Sequence, residues 1–134
     1  MSRENVELVR AQYERWNTQD FEGWIQAFDP DAEYMSSVAA SVDGDGEYRG
    51  HEGLRRFVSE YFEGWEYFRL EPTEYIDRGP SVAVVMRAVA RGRGSGAQVD
   101  TELAHVWTFR DGRAVRHESF ASREEALEAV GLRE

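Results

Sequence analysis

A long β-hairpin is predicted over residues 99–121, and it restricts the possible folds more than any other segment. Apolar and polar residues alternate along its first strand, so that Leu103, His105, Trp107 and Phe109 share one face. A strand with one heavy, mainly apolar face needs another layer packed against that face. The hairpin therefore predicts an antiparallel sheet that covers helices, with a histidine on its inner surface.

The turn of this hairpin, at residues 110–113, is compatible with two strand registers. A two-residue Asp-Gly loop places His105 opposite Glu118 and brings charge into the apolar face. The pairs in a three-residue loop with a glycine bulge are His105 with His117, Trp107 with Val115, and Leu103 with Ser119. We favour the three-residue loop, because it moves the charged residues of the second strand to the opposite face.

The composition narrows the class of protein. The chain of 134 residues is 41% hydrophobic, which suffices for a core with a cavity, and we expect a single domain over residues 1–134. The formal net charge of -10 disfavours nucleic acid and anionic membranes as partners, because both require a basic face. With no cysteine, disulfides and thiolate sites are excluded. No secretory signal and no long apolar run is evident, so we expect a cytoplasmic protein.

Three amphipathic helices are predicted in the first half of the chain. Apolar residues three and four positions apart indicate helices at residues 2–17, 21–28 and 51–64. The third has the clearest apolar stripe and must lie on the sheet. A short last helix is predicted at residues 123–130 after a capping box, and Gly131 is expected to end it.

The remaining elements are strands. They are predicted at residues 32–37, 67–77 and 82–91 and in both arms of the hairpin, with a long loop at residues 38–50. All apolar faces are buried if a cone-shaped, curved antiparallel sheet wraps around the three N-terminal helices, which leaves an apolar pocket at its wide end. The predicted fold class is therefore α+β, with a short C-terminal helix.

Aromatic side chains are expected to line this pocket, although aromatic stripes belong to the core more often than to a ligand site. The predicted ligand-binding residues are Tyr13, Trp16, Trp24, Phe28, Tyr34, Phe57, Tyr61 and Trp107, together with Ser36 and Ser119.

Four local motifs occur in the same order as these elements: Trp-Asn-Thr-Gln-Asp at residues 16–20, Tyr-Arg-Gly-His-Glu-Gly at 48–53, His-Val-Trp-Thr-Phe-Arg-Asp-Gly at 105–112 and Arg-Glu-Glu-Ala-Leu at 123–127. Together they resemble the nuclear transport factor 2-like superfamily and, within it, the bacterial SnoaL-like proteins. The resemblance implies a small-molecule pocket, but this scaffold hosts isomerases, dehydratases, hydrolases, cyclases and non-catalytic binders.

Comparison with the enzymes of the superfamily implies where acid and base groups would stand. Ser36 occupies the place of the general-base aspartate of ketosteroid isomerases, and His105 that of their oxyanion-hole aspartic acid, so that activity is not expected. A histidine on the strand of His105 also belongs to the polyketide cyclase site, but Ser119 or His117 replaces their aspartate. The dehydratases use a histidine pair with an aspartate, which parallels His105 and His117.

The histidine pair is the best chemical candidate. Two imidazoles that meet in an apolar pocket would titrate together, which suits one as base and the other as acid. We predict His105 as the principal acid/base, His117 as its partner, and Tyr13, Ser36 and Ser119 as hydrogen-bond donors. The alternative is that one histidine is a hydrogen-bonded core residue and the other is exposed.

Metal and cofactor sites are not predicted. His105 and His117 lack the close spacing of metal ligands on one element, and the acidic run at residues 43–47 lacks the full calcium-loop pattern. The glycine-rich segment at residues 92–96 joins two strands and opens no helix, so it is a turn rather than a phosphate cradle. His51 is assigned to the start of the third helix.

The sequence supports two functions. The first is a SnoaL-like protein that performs cofactor-free acid/base chemistry on a hydrophobic cyclic compound, and the second is a non-catalytic ligand binder or dimeric interaction module. The resemblance also implies a homodimer through the outer face of the sheet, at Ala104, Val106 and the strand around Val84.

Overall fold

The computed structural model describes residues 2–36 and 46–133 of the chain. These contain the helices α1 (Ser2–Asn17), α2 (Phe21–Gln26), α3 (Gly50–Gly64) and α4 (Arg123–Arg133). They also contain the strands β1 (Phe28–Met35), β2 (Glu47–Arg49), β3 (Trp65–Arg78), β4 (Ser81–Gly92), β5 (Gln98–Arg110) and β6 (Arg113–Phe120). The predicted α+β fold class is confirmed. Among these helices, none is long and apolar enough to cross a membrane.

The strands form one curved, unclosed sheet in the order β2-β1-β6-β5-β4-β3. Its inner face, together with α1, α2 and α3, encloses the main hydrophobic core. All neighbouring strands are antiparallel except β1 and β6, which run parallel. This pair departs from the antiparallel sheet that was predicted. It is possible because α3 and four strands separate β1 from β6 in the chain, which provides the long crossover that parallel pairing requires.

The end of α1 covers the free edge of β3. The Trp16 indole N–H donates a hydrogen bond to the Phe68 carbonyl at 2.8 Å. The Asn17 side chain donates to the Leu70 carbonyl at 2.7 Å and accepts from the Leu70 N–H at 3.0 Å, as a neighbouring strand would. An edge strand otherwise presents unpaired backbone groups. The Trp-Asn motif of residues 16–20 therefore has a structural role.

The start of α3 explains the glycine-histidine motif at residues 48–53. Gly50 has a φ of +71°, and a Cβ atom there would lie 2.8 Å from the Pro30 carbonyl oxygen. His51 Nε2 lies 2.8 Å from the Phe28 carbonyl oxygen, which ties the helix start to β1. This motif also positions elements of the fold.

The hairpin turn is the two-residue loop, and the predicted three-residue loop is wrong. Asp111 and Gly112 both lie in the left-handed region, with φ values of 54° and 79°, as a type I′ turn requires. After the turn, Val115 has no partner residue on β5, which makes a bulge in β6.

The bulge changes the partners of the histidines. His105 lies opposite Ser119, and Trp107 lies opposite His117. The observed register differs from the favoured one by two residues, and a shift of two residues keeps each side chain on the same face of a sheet. The predicted pairs are therefore wrong, whereas both histidines still face inward.

Three predicted boundaries are also corrected. Strand β1 begins at Phe28 rather than at residue 32. It can include Pro30, because this proline lies between paired positions and therefore removes no hydrogen bond from the ladder. Residues 47–49 of the predicted loop form β2, and residues 38–45 of that loop lie outside the described part. Gly131 does not end the last helix, because it lacks the positive φ of a helix-ending glycine.

The capping box at the start of α4 forms as predicted. The Glu125 N–H donates to the Ser122 hydroxyl at 3.2 Å, and the Ala121 N–H donates to the Glu125 carboxylate at the same distance.

Helix α4 lies on the outer face of the sheet. Ala126 and Val130 pack there against a small cluster that includes Ala104 and Val106, and none of these four side chains is more than 1% exposed. Val84 points into the main core. The residues predicted to meet a second copy are therefore buried within the monomer: α4 covers Ala104 and Val106, and Val84 belongs to the main core. The homodimer itself remains a prediction, but these three residues do not form its interface.

Candidate functional site

A narrow cavity lies between the helices and the inner face of the sheet, beside His105. The centre of a water molecule can occupy a volume of about 20 Å³ in it, so the cavity has room for roughly one water. The lining residues are Trp16, Tyr34, Ser36, Phe57, Tyr61, Phe68, Leu70, Leu103, His105 and Ser119. Only Tyr61 and Ser119 among them are partly exposed, so the cavity comes nearest to the surface at these two residues.

The predicted site residues divide into two groups. Those that line the cavity are Trp16, Tyr34, Ser36, Phe57, Tyr61, His105 and Ser119. Those that lie behind it in the core are Tyr13, Trp24, Phe28, Trp107 and His117. Phe68, Leu70 and Leu103 line the cavity but were not among the predicted site residues. Their signal was the alternation along β3 and β5, which places them on the inner face of the sheet.

A buried hydrogen-bond chain holds His105 from behind. The indole N–H of Trp107 donates to the Tyr13 hydroxyl at 2.9 Å, and that hydroxyl oxygen lies 2.8 Å from His105 Nδ1. Tyr13 is 3% exposed and His105 is 5% exposed. Helix α1 supplies the tyrosine and β5 supplies the other two residues, so this chain also fixes α1 against the sheet.

Burial keeps His105 neutral. Removal from water disfavours the imidazolium form and lowers the pKa of His105 from 6.5 to about 3. At neutral pH the ring therefore presents one N–H donor and one nitrogen acceptor. The site therefore has a polar but uncharged imidazole in a wall made mainly of aromatic and aliphatic side chains.

His117 lies deeper in the core, next to His105. Its ring stacks on Tyr34, with centroids 4.2 Å apart and planes at 6°, and it meets the edge of Trp107 at 4.6 Å. Neither of its ring nitrogens makes a hydrogen bond to a residue that the structure describes. Burial is the main cause that lowers the pKa of His117 well below 6.5, and the nearby His105 lowers it further.

The two histidines are brought together, as the sequence indicated, but only one of them reaches the cavity. Their ring centroids are 4.3 Å apart and the planes meet at 66°, and no hydrogen bond joins them. Both rings are neutral at pH 7, since burial lowers the pKa of each. Such a pair holds no protonated imidazole that could act as an acid before a ligand binds.

Tyrosines supply the other polar groups. Burial raises the pKa of Tyr34 and of Tyr61 above 10, so both lining phenols keep their protons. The Ser119 hydroxyl donates to the Met35 carbonyl at 3.4 Å. None of the described residues that line the cavity is charged.

No metal site is evident in the described residues. No group of three or more histidine, aspartate or glutamate side chains there is arranged to hold a metal ion. Most of the acidic run at residues 43–47 lies outside the described part.

Sequence comparison identifies the family of this chain. Residues 9–117 match the family model described as the SnoaL-like domain. The chain belongs to the SnoaL-like family. No curated protein shows significant sequence similarity to it.

Solved structures share the fold of this SnoaL-like domain. TerC, crystallised with polyporic acid, is 26% identical with a TM-score of 0.80, and the match covers 96% of this chain and 98% of TerC. A nuclear transport factor 2-like protein of unknown function from Burkholderia pseudomallei is 25% identical with a TM-score of 0.81, over 95% and 97% of the two chains. Bal32a, from a soil-derived mobile gene cassette, is 19% identical with a TM-score of 0.78, over 96% and 97%.

Proposed function

We propose that this SnoaL-like domain binds an uncharged, hydrophobic cyclic molecule in the cavity and promotes proton-transfer chemistry on it without a cofactor. His105 is the group that contacts the polar atom of the ligand. The apolar lining residues hold the ring of the ligand, and Ser36, Ser119 and Tyr34 supply further hydroxyl groups.

The position of His105 carries this proposal. It is a neutral imidazole at the wall of an apolar cavity, and it is held from behind by Tyr13 rather than by a carboxylate. A fold that needed only a packed core would gain more from an apolar side chain at this place, because Nε2 of His105 has no hydrogen-bond partner among the described residues, and a polar atom removed from water without a partner costs free energy. The likeness to TerC, which was crystallised with polyporic acid, is consistent with a ligand pocket.

Ligand binding must widen the cavity. A ring-sized molecule does not fit into about 20 Å³, so lining side chains have to rotate. Tyr61 is suited to this movement, because it is partly exposed and lies at the side nearest to the surface.

Titration calorimetry with the dimethyl ether of polyporic acid tests the pocket, because this ether is uncharged, whereas polyporic acid itself is ionised at neutral pH. We expect the wild type to bind this probe, and we expect Leu103→Phe, which fills the cavity, to bind it about tenfold more weakly. Leu8→Phe is the matched control, since Leu8 is 37% exposed and lies on the outside of α1. If both variants bind the ether as the wild type does, the cavity is not the ligand site.

The second candidate function is a binder without catalysis. The environment of His117 favours it, because a histidine that stacks on Tyr34, meets the edge of Trp107 and has no hydrogen-bond partner among the described residues resembles a core residue more than a base. Liquid chromatography with mass detection of the same ether after incubation separates the two functions for this probe, because it also resolves isomers of equal mass. Conversion that disappears in His105→Gln supports catalysis, whereas binding with quantitative recovery of the probe supports the binder.

A further inference from the structure

The hydrogen-bond chain behind His105 has a fixed direction. The indole of Trp107 can only donate, and it donates to the Tyr13 oxygen. Within the described residues, the hydroxyl of Tyr13 makes only two hydrogen bonds, one to Trp107 and one to His105 Nδ1. The single proton of Tyr13 therefore has one available acceptor, which is Nδ1 of His105.

The opposite arrangement leaves a donor without a partner. If Nδ1 carried the imidazole proton, the Tyr13 oxygen would accept from both Trp107 and His105, and its own proton would point at no acceptor. An unsatisfied donor in a buried position is disfavoured. The satisfied arrangement places the proton of the neutral imidazole on Nε2, the ring nitrogen that makes no hydrogen bond to any described residue.

We propose that His105 acts as a hydrogen-bond donor through Nε2–H, and that the ligand of the cavity carries an acceptor oxygen, such as a carbonyl, which receives this proton. The identity of the ligand class rests on the proposed function, whereas the position of the proton does not. Tyr13 and Trp107 are positioning residues, because they set the tautomer of His105 without lining the cavity.

This assignment changes the chemistry that the site can perform. A neutral imidazole N–H that points at a carbonyl stabilises negative charge as it develops on that oxygen, and it needs no prior protonation. His105 would then polarise the ligand carbonyl, and the proton released from the neighbouring carbon would pass to solvent water, since no described lining residue is a carboxylate. A ligand that offers only donors to this position would find no acceptor on His105.

Imidazole nitrogen NMR tests the proton position in the ligand-free protein. Long-range proton–nitrogen correlation on uniformly ¹⁵N-labelled protein distinguishes the two tautomers, and His51→Gln and His117→Gln assign the signals. We expect His105 in the Nε2–H form, with Nδ1 shifted by an accepted hydrogen bond. In Tyr13→Phe, the Nδ1 signal should move toward that of an unbonded nitrogen, and Tyr75→Phe, a partly exposed tyrosine on β3, is the matched control. A wild-type His105 that carries its proton on Nδ1 would overturn the proposal, even if Tyr13→Phe does not fold.

Two probes of the same shape test the ligand class. Cyclohexanone has an acceptor oxygen where methylenecyclohexane has a carbon, so we expect cyclohexanone to bind about tenfold more tightly. This preference should disappear in His105→Phe, which keeps a ring but has no N–H. Equal binding of the two probes to the wild type contradicts donation by His105. If neither probe binds, the pocket function fails, while the tautomer measured without ligand still decides the proton position.

Discussion

The two faces of the sheet differ in their polar groups, which are buried and neutral on the inner face but exposed and charged on the outer face. On the inner face, His105 and His117 are at most 5% exposed, and burial keeps both neutral. On the outer face, arginines and carboxylates alternate across neighbouring strands. Arg49 and Arg116 both contact Glu33, at 2.6 and 2.8 Å, and the side chains of all three are between 37% and 70% exposed.

The difference shows that ionised side chains are tolerated on the outer face, whereas the inner face keeps its polar groups neutral. Outside, water solvates each ion and screens its partner, so exposed pairs contribute little to stability. Inside, the cost of desolvation removes the charge, and what remains is a set of oriented N–H and O–H groups. The chemistry proposed for this domain therefore depends on hydrogen-bond direction at the inner face, whereas the ion pairs of the outer face remain solvated.

The largest expected effect comes from replacing one phenylalanine by alanine on either side of the sheet, Phe57 of α3 on the inner side and Phe120 of β6 on the outer side. Phe57→Ala should lower the free energy of unfolding by about 3–5 kcal/mol, since Phe57 is 2% exposed and packs against Tyr34 at 4.5 Å between ring centroids. Phe120→Ala on the outer face should cost only about 1–2 kcal/mol, because Phe120 is partly buried. Urea unfolding measures both, and equal losses would show that the outer cluster is a second core of the same weight.

Ala126→Arg tests whether α4 is what covers the outer face. Ala126 is 0% exposed, and an arginine there cannot stay buried without a partner, so α4 should detach. The cost is limited to the docking of one short helix, about 2 kcal/mol. Detachment exposes Ala104 and Val106, and light scattering should then show self-association. Glu128→Arg, at an exposed position of the same helix, is the control. An unchanged monomer fraction in Ala126→Arg would mean that this apolar patch is too small to drive association.

The next prediction concerns stability against pH, which should differ between the buried histidines of the inner face and the ion pairs of the outer face. The unfolded chain protonates its histidines as the pH falls below about 6.5, while the folded chain keeps His105 neutral down to a pKa of about 3. Protons therefore bind the unfolded state preferentially, and stability falls by about 1.4 kcal/mol per pH unit for each such histidine. On the outer face, the hydrogen bond from Arg87 lowers the pKa of Asp100. The stabilisation from this pair is therefore lost only when the pH falls below the ordinary pKa of an aspartate.

Urea unfolding between pH 7 and about pH 5 measures the inner histidines by themselves. His117→Gln should reduce the slope of stability against pH by the share of one histidine, whatever its effect on stability at pH 7. His51→Gln removes one histidine outside the inner cluster and is the control. If the slope of His117→Gln equals that of the wild type, His117 is protonated in the folded state, and the neutral interior is contradicted.

The sequence predicted which side of each helix and strand is buried better than it predicted which residues are in contact. Apolar periodicity fixes which side of a helix or strand is buried, so the inner position of His105 followed from alternation, whereas that of His117 also depended on the choice of hairpin register. The hairpin register did not follow, because the bulge at Val115 is not encoded by the turn. Strand β6 also pairs with β1 on its other side, and the shift between Phe28 and Glu33 shows that both neighbours adjust there.

The same limit applies to the site. Periodicity placed many aromatic residues inside, but the packing of α1 against β3 and β5 decides which of them reach the cavity. Tyr13 was expected to touch the ligand, and it lies behind His105 instead. Leu103 was recognised as an inward residue of the hairpin, and its place at the cavity depends on neighbours that are distant in sequence.

The smallest expected effect is that of an ion pair on the outer face. Arg87 contacts Asp100 at 2.8 Å and Glu71 at 3.4 Å, and its side chain is 55% exposed. Arg87→Gln should leave the urea midpoint unchanged within error at moderate salt, because water already solvates all three groups. Any loss seen at low salt should disappear at about 0.5 M sodium chloride, where screening acts over a few ångströms. A loss that persists at high salt would mean that these charges hold the sheet together, and the contrast between a neutral, structural inner face and a charged, solvating outer face would then be wrong for β4 and β5.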